Sequence, residues 1–175
     1  MNIEKFIENN GIRQADAIIV KREKLGLFDH YVIFLGYDEN SFEPLFIANF
    51  ENGVDILSTS KLREYLRMYK PISINRFTGS DNDREYAISR ALIDLKTKSN
   101  RAYHLIKNNC EHFANWVQKG VRESNQVKSF GNASAIGGLG ITAVGLASKN
   151  KGMIWGGLVL AALGGIVSSF GENDN

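Results

Sequence analysis

The stretch HYVIFLG at residues 30–36 decides the fold, because it is an aromatic and β-branched run that ends in a glycine. Runs of this composition favour buried strands. A similar run, ADAIIVKR, precedes it at residues 15–22, and PLFIANF follows at residues 44–50 after the turn-forming segment YDENS at residues 37–41. Short polar loops between such runs predict a meander of antiparallel strands.

Helical patterns follow the three predicted strands. Apolar side chains recur at intervals of three and four in SKLREYLRMY at residues 60–69 and in REYAISRALIDL at residues 84–95. CEHFANWVQKG at residues 110–120 shows the same spacing and ends in a glycine suited to a helix C-terminus. AYHLI at residues 102–106 predicts one more short strand. The pattern as a whole predicts an α+β fold in which helices flank an antiparallel sheet.

The composition changes along the chain. The chain has 175 residues, 43% hydrophobic and 23% charged, which are averages typical of a globular domain. Most of the 17 glycines lie beyond residue 130, whereas nearly all charged side chains precede it. The charged residues that follow it are Lys149, Lys151, Glu172 and Asp174. We therefore predict a globular domain at residues 1–130 and a Gly/Ala-rich apolar tail of one or two helices at residues 131–175.

Charge and cysteine content exclude several classes of protein. A net charge of +2 provides no basic field for binding nucleic acid. The single cysteine, Cys110, excludes an internal disulfide framework. His104, Cys110 and His112 lack the spacing of a zinc site, so we predict no metal and no cofactor. The charged N-terminal segment MNIEKFIENNGI lacks the apolar run of a signal peptide, which favours a cytoplasmic domain.

The surroundings of Cys110 are those of a nucleophilic thiol. If Asn109 caps the following helix, Cys110 lies in its first turn, where free N–H groups and the helix dipole favour a thiolate. The same N–H groups are suited to stabilising a tetrahedral oxyanion. The alternative is a buried apolar cysteine, which is the commoner state of a lone cysteine. The residue pattern alone leaves both interpretations open.

A nucleophilic cysteine requires a base, and the chain has three histidines. His112 lies two residues beyond Cys110 and would point away from it on a helix, while His104 alternates within a predicted strand. His30 opens a strand, where its side chain is free to project over a helix end, and it is the best candidate. Asn49 is a polar interruption of an apolar strand and is the candidate group that orients the imidazole.

The segment NCEHF at residues 109–113 resembles the signature of the lecithin:retinol acyltransferase family, which includes the phospholipase/acyltransferases related to the H-Ras-like suppressors. ADAIIVKR and HYVIFLG are similar to the first strand and the histidine-aromatic strand of that family. The resemblance spans roughly residues 14–128. It implies a fold like a circularly permuted papain/NlpC-type peptidase, in which the histidine precedes the cysteine along the chain.

The resemblance also implies roles for individual residues. Cys110 would be the nucleophile that forms an acyl thioester, and His30 would be the base that activates it and later deprotonates the acceptor. Many family members carry a second histidine on the third strand, and Asn49 stands closest to that position here. A group that only orients the imidazole can be an asparagine, so we expect activity to survive this difference.

The apolar tail contains two uncharged runs, at residues 131–148 and 152–171. As a helix, MIWGGLVLAALGGIVSSF within the second run rises by about 27 Å, close to the thickness of a bilayer's hydrocarbon core. Four small residues recur along it and favour close helix packing or self-association, namely Gly157, Ala161, Gly165 and Ser169. We predict membrane association through residues 131–171 as a single span, a hairpin or an interfacial segment. The alternatives are a helix pair packed on the domain and an oligomerising element.

Three functions from different classes remain open. The leading prediction is a thiol-dependent acyltransferase or phospholipase that acts on the acyl chains of glycerophospholipids or related acyl lipids. A second is an NlpC-type hydrolase of amides or peptides. A third is a non-catalytic module for membrane remodelling or interaction, in which the Gly-rich tail is the working part.

Overall fold

The computed structural model describes residues 2–22, 29–97 and 109–172. The chain divides into two compact units, Met1–Val121 and Arg122–Asn175. The boundary between the units lies before the composition change at residue 130. The reason is that the first helix of the second unit already begins at Asn125, and its first turn is polar.

The first unit is an α+β domain, as the sequence predicts. Its elements are α1 (Ile3–Asn10), β1 (Ala17–Arg22), β2 (His30–Tyr37), β3 (Pro44–Phe50), β4 (Gly53–Leu57), α2 (Thr59–Met68), β5 (Tyr69–Asn75), α3 (Asp81–Lys96) and α4 (Cys110–Lys119). The strands form one antiparallel sheet in the order β4-β3-β2-β1-β5, so β2 lies at its centre. The strand predicted at residues 102–106 lies outside the described residues.

The central strand β2 is buried on both faces, which explains why its sequence is continuously apolar. On one face, Tyr31 and Ile33 pack with the buried residues of α3 and α4; we call this the α4 face. On the other, Val32 and Phe34 pack with the buried residues of α1 and α2; we call this the α2 face. The first turn of α4 therefore lies beside one face of the strand that begins with His30.

The strands β4 and β5 are absent from the sequence-based prediction. The predicted helix at residues 60–69 ends at Met68, and β5 starts at Tyr69 and contains Pro71. Proline has no N–H to donate, and it is tolerated here because β5 is an edge strand whose pairing with β1 is irregular at this point.

Asp16 joins the start of β1 to the segment that leads into α3. Its buried carboxylate accepts hydrogen bonds from the backbone N–H groups of Arg13 and Phe77, each 3.0 Å long. It also pairs with the guanidinium groups of Arg76 at 3.0 Å and Arg84 at 3.3 Å. Burial acts to raise the pKa of Asp16, but these donors outweigh it and hold the pKa below its ordinary value.

Replacing Asp16 with alanine is expected to lower the free energy of unfolding at neutral pH by about 3 kcal/mol, because the change strands the buried Arg84 charge. A depressed carboxyl pKa stabilises the fold above the unfolded-state pKa, near 3.8, and this stabilisation is lost as the pH falls further. The difference between wild type and variant should therefore shrink below about pH 4. Urea unfolding of the full chain in detergent measures it. Asp81→Ala, which removes an exposed carboxylate, is the control and should change stability little.

The second unit consists of two helices, α5 (Asn125–Ala147) and α6 (Lys151–Ser169), which confirms the predicted C-terminal helical tail. Both are long and apolar enough to cross a membrane by length and composition. Only 17% and 11% of their most apolar windows are buried. A helix pair of this kind leaves most of its apolar surface uncovered by its own packing.

Candidate active site

The site is built on the N-terminus of α4. Asn109 has extended backbone angles and is the N-cap, and its side chain accepts hydrogen bonds from the N–H groups of Glu111 at 2.9 Å and His112 at 3.1 Å. Cys110 is the first residue of the helix, and Gly120 ends the helix in a left-handed conformation. The predicted cap, first-turn position and helix end are confirmed.

His112 takes part in the cap of α4. The backbone N–H of Asn109 donates to its Nδ1 at 3.4 Å, and with the Asn109 side chain this forms a reciprocal capping box. His112 is 2% exposed. The signal in the sequence is the spacing Asn-x-x-His, in which histidine takes the place that glutamate or glutamine usually occupies in such a box.

His30 and Cys110 meet although they lie 80 positions apart in the chain. The Nδ1 atom of His30, at the start of β2, lies 3.7 Å from the Cys110 sulfur. The backbone carbonyl oxygen of Asp29 lies 3.5 Å from the same sulfur. The distance to the imidazole is within the reach of a thiol hydrogen bond, so the pair can exchange a proton without a bridging group.

Aromatic rings hold the imidazole on its other side. The His30 ring meets the ring of Tyr69 edge to face with centroids 4.8 Å apart, and the ring of Tyr65 lies 6.4 Å away. Tyr65 and Tyr69 are stacked on each other at 4.3 Å, and Phe50 packs against Tyr65 at 5.8 Å. In the sequence these tyrosines read only as the apolar face of a helix, so their place beside His30 was missed.

Asn49 is buried in β3, where it pairs with Val54 of β4. Side chains alternate along a strand, so Asn49 lies on the α4 face with Ile47, the face that also carries Cys110. The orienting role of Asn49 stays a prediction.

The pKa of Cys110 is shifted in the direction opposite to the sequence-based expectation. The side chain is 3% exposed, and burial raises the pKa of the Cys110 thiol to about 12. The backbone N–H of Tyr31 faces the sulfur and acts to lower this pKa, whereas the adjacent Glu111 carboxylate acts to raise it. The helix N-terminus was expected to favour a thiolate, and the loss of solvation outweighs it. A raised pKa disfavours the thiolate, so attack by this sulfur requires a base.

Glu111 follows Cys110 in the first turn of α4, and its side chain is also buried. The phenolic O–H of Tyr31 donates to Glu111 Oε1 at 3.3 Å. Because Tyr31 directly follows His30, this contact ties the first turn of α4 to the start of β2. The hydrogen bond thus supports the spacing between the sulfur and the imidazole.

The first turn of α4 has few amide groups to offer an oxyanion. Asn109 occupies the N–H groups of Glu111 and His112, and Phe113 donates to the Asn109 carbonyl at 3.2 Å. The N–H of Cys110 faces its own sulfur, where it acts to lower the pKa of the thiol, so it lies beside the position of an oxyanion formed there.

The described residues contain no cluster of side chains that would bind a metal ion. Within residues 2–22, 29–97 and 109–172, no three histidine, cysteine, aspartate or glutamate side chains group to hold a metal ion. His104 lies outside the described residues.

The fold and the site place this chain among α+β proteins in which the cysteine that begins a helix meets a histidine of the sheet. The family model described as Lecithin retinol acyltransferase matches residues 10–123, so the chain belongs to the lecithin retinol acyltransferase family. The chain is also similar to Phospholipase A and acyltransferase 3 of Mus musculus, with 43% identity over 53 residues. That match covers 28% of this chain and 33% of the mouse protein.

Proposed function

We propose that this chain is a thiol-dependent acyltransferase or phospholipase that acts on acyl esters of glycerophospholipids. The observation that carries the proposal is the 3.7 Å approach of His30 Nδ1 to the sulfur of Cys110 at a capped helix N-terminus. Family membership supports acyl chemistry, and the name of the mouse relative points to phospholipid substrates. The two apolar helices supply a route to a lipid surface.

The first half of the reaction forms a thioester. His30 Nδ1 accepts the thiol proton as the Cys110 sulfur attacks the ester carbonyl carbon, and the N–H of Cys110 donates to the oxyanion. When the tetrahedral intermediate collapses, the ester C–O bond breaks. The imidazolium returns its proton to the departing alkoxide of the lysophospholipid.

The second half of the reaction consumes the thioester. His30, now neutral, removes a proton from water or from another acceptor as that acceptor attacks the thioester carbonyl. The C–S bond breaks and the proton passes back to the sulfur, which restores the resting thiol. Hydrolysis and acyl transfer differ only in the acceptor, which the proposal leaves general.

The proposal is tested with intact full-length protein and vesicles of phosphatidylcholine that carries a labelled acyl chain. We expect the protein mass to increase by one acyl group, and we expect neutral hydroxylamine to remove that group. A panel of acylated amides and peptides is the comparison. Turnover of these without an acyl adduct from phospholipid would favour the NlpC-type hydrolase, and vesicle leakage without turnover of either substrate would favour the non-catalytic module.

We also propose that Tyr69, packed edge to face against His30, is a positioning residue for the imidazole. Tyr69→Ala should lower kcat by about ten- to a hundredfold with little change in KM, because a misplaced base costs rate rather than binding. Tyr69→Phe keeps the ring and should restore kcat and the pH profile. Initial rates across a pH series measure both variants.

Asn49→Ala is the competing variant in the same experiment. If Asn49 orients the imidazole, Asn49→Ala loses kcat while Tyr69→Ala keeps it, and that outcome would overturn the role proposed for Tyr69. The cytoplasmic placement of the domain stays a prediction alongside these roles.

A further inference from the structure

We infer that α5 and α6 cross the bilayer together as one hairpin, with the start of α5 and the end of α6 at one surface and the turn between them at the other. The inference rests on the proposed membrane association and selects among the three arrangements that the sequence leaves open. It follows from the way the two helices pack, from the position of their charges and from the side chains they expose.

Glycines at intervals of seven form the interface between the helices, and they are Gly131, Gly138 and Gly145 on α5 and Gly157, Gly164 and Gly171 on α6 and its C-terminal turn. A Cβ atom on Gly138 would lie 2.6 Å from the carbonyl oxygen of Gly157. A Cβ atom on Gly164 would lie 2.7 Å from that of Gly131. Backbone contacts this close are typical of helix pairs that associate in lipid, where small residues replace the hydrophobic effect as the source of packing energy.

The interface corrects the spacing inferred from the sequence. The predicted ridge of small residues repeats every four positions, but Gly157 and Ala161 face α5 while a Cβ on Gly165 would meet nothing within 4 Å. Part of the ridge is therefore covered by α5, and the part at Gly165 stays uncovered within the helix pair. Self-association through it stays a prediction.

Polar contacts join the two helices at their open end. The side-chain oxygens of Ser168 and Asn132 are 2.7 Å apart, and Lys128 pairs with Glu172 at 3.0 Å. The backbone N–H of Ser124 also donates to the carbonyl of Gly171 at 3.0 Å. The beginning of α5 and the end of α6 are thus held at the same end of the pair.

The turn at the other end is short and polar. Lys149 adopts a positive φ of 52°, and the N–H of Asn150 donates to the carbonyl of Gly145 at 2.8 Å. The Asn150 side chain caps α6 by accepting from the N–H of Met153 at 3.2 Å. Lys149 and Lys151 carry the charges of this turn, where anionic phosphates of a far leaflet can meet them.

Between its two ends the hairpin carries no charge and exposes large apolar side chains on both helices, among them Ile136, Leu139, Val144, Leu146, Trp155, Val159, Leu163 and Ile166. The 19 residues of α6 rise by about 28 Å, which matches the hydrocarbon core of a bilayer. Acyl chains can cover such a surface on every side, whereas a protein partner would cover one face. A single span by α6 alone would break the glycine contacts and leave the apolar side chains of α5 in water.

Cysteine labelling tests this topology, because Cys110 is the single cysteine and Cys110→Ser removes it. In that background, one cysteine is introduced by Ser129→Cys, Ser148→Cys or Glu172→Cys, and membranes of expressing cells are treated with an impermeant maleimide before and after detergent. The hairpin predicts that positions 129 and 172 react under the same condition, either before detergent or only after it. Position 148 should react under the other condition. Position 172 reacting apart from the other two would indicate a single span and overturn the inference.

The remaining outcomes separate the hairpin from the function proposed above. Three positions that react together in sedimented membranes would overturn the hairpin and keep membrane association. A chain that stays in the supernatant would overturn both the hairpin and the membrane association. Acyl-adduct formation by wild-type protein is measured independently, so the chemistry of Cys110 is judged apart from topology.

Crosslinking tests the glycine interface with matched variants. Asn132→Cys and Ser168→Cys, introduced together in the Cys110→Ser background, should form an intramolecular disulfide under mild oxidation because their side chains meet. Gly164→Leu should reduce this crosslink several-fold, since its side chain has no space against Gly131. Gly165→Leu makes the same change at a neighbouring open position and should leave the crosslink intact. Equal crosslinking in both glycine variants would refute the interface.

Discussion

Replacing Cys110 with serine is expected to lower phospholipid turnover by roughly 10³- to 10⁶-fold and to abolish the acyl adduct, in line with removal of the nucleophile from other acyl-transfer enzymes. Serine is close to cysteine in shape, so the buried first turn of α4 is preserved. A hydroxyl is far harder to deprotonate than a thiol, and the site offers one described base for the task, His30 at 3.7 Å. Release of labelled fatty acid and intact-protein mass report the loss.

Cys110→Ala is the companion variant, because it removes every nucleophilic atom at this position. Both variants should retain the thermal unfolding transition of the wild type, since a small side chain is exchanged at a buried position without stranding a charge. Turnover within tenfold of wild type in either variant would exclude the thioester mechanism. If Cys110→Ala lost both turnover and folding, Cys110→Ser would decide between the two causes, because it replaces only the sulfur atom with oxygen.

Replacing His30 with glutamine is expected to lower turnover by about 10²- to 10⁴-fold and to remove the acidic limb of the pH profile. The buried thiol of Cys110, with its pKa raised to about 12, stays protonated at neutral pH and must give its proton to the imidazole. Only a neutral imidazole can accept it, and histidine ordinarily becomes protonated in acid, so wild-type activity should rise with pH between acidic and neutral conditions. In His30→Gln this rise should be absent, and initial rates across a pH series show the difference.

His112→Gln is the matched control for His30→Gln. Glutamine at this position can keep the reciprocal cap with Asn109, because it reaches the same backbone N–H that His112 Nδ1 accepts from. Activity should stay within a few-fold of wild type and the pH profile should be unchanged. If His112→Gln lost the acidic limb and His30→Gln kept it, the roles assigned to the two histidines would be reversed.

Much of the first unit follows from patterns within a few residues. The three β-branched runs predict β1, β2 and β3, because an apolar run that is too short for a buried helix and bounded by turn formers has few other solutions. The cap at Asn109 and the left-handed end at Gly120 follow from the side chains at those two positions.

Other elements depend on partners that are distant along the chain. The strand β5 contains a proline and has little β-branched character, and it forms because the edge of β1 supplies its hydrogen bonds. The same reason explains Tyr69, whose pattern in the sequence is that of a helical residue and whose place beside His30 arises where α2 gives way to β5. The glycine spacing of seven in the tail was obscured by the other small residues around it, and only the pairing of α5 with α6 selects it.

By itself, the sequence determined that Cys110 begins a helix, that His30 begins a strand and that a charged domain is followed by a Gly/Ala-rich apolar tail. Capping, periodicity and composition act over a few residues, so they can be read locally. The tertiary structure alone decided that the sulfur meets the imidazole and that burial raises the pKa of the thiol. Distances between remote residues and the loss of solvation on burial are properties of packing, and packing exists only once the whole chain has folded.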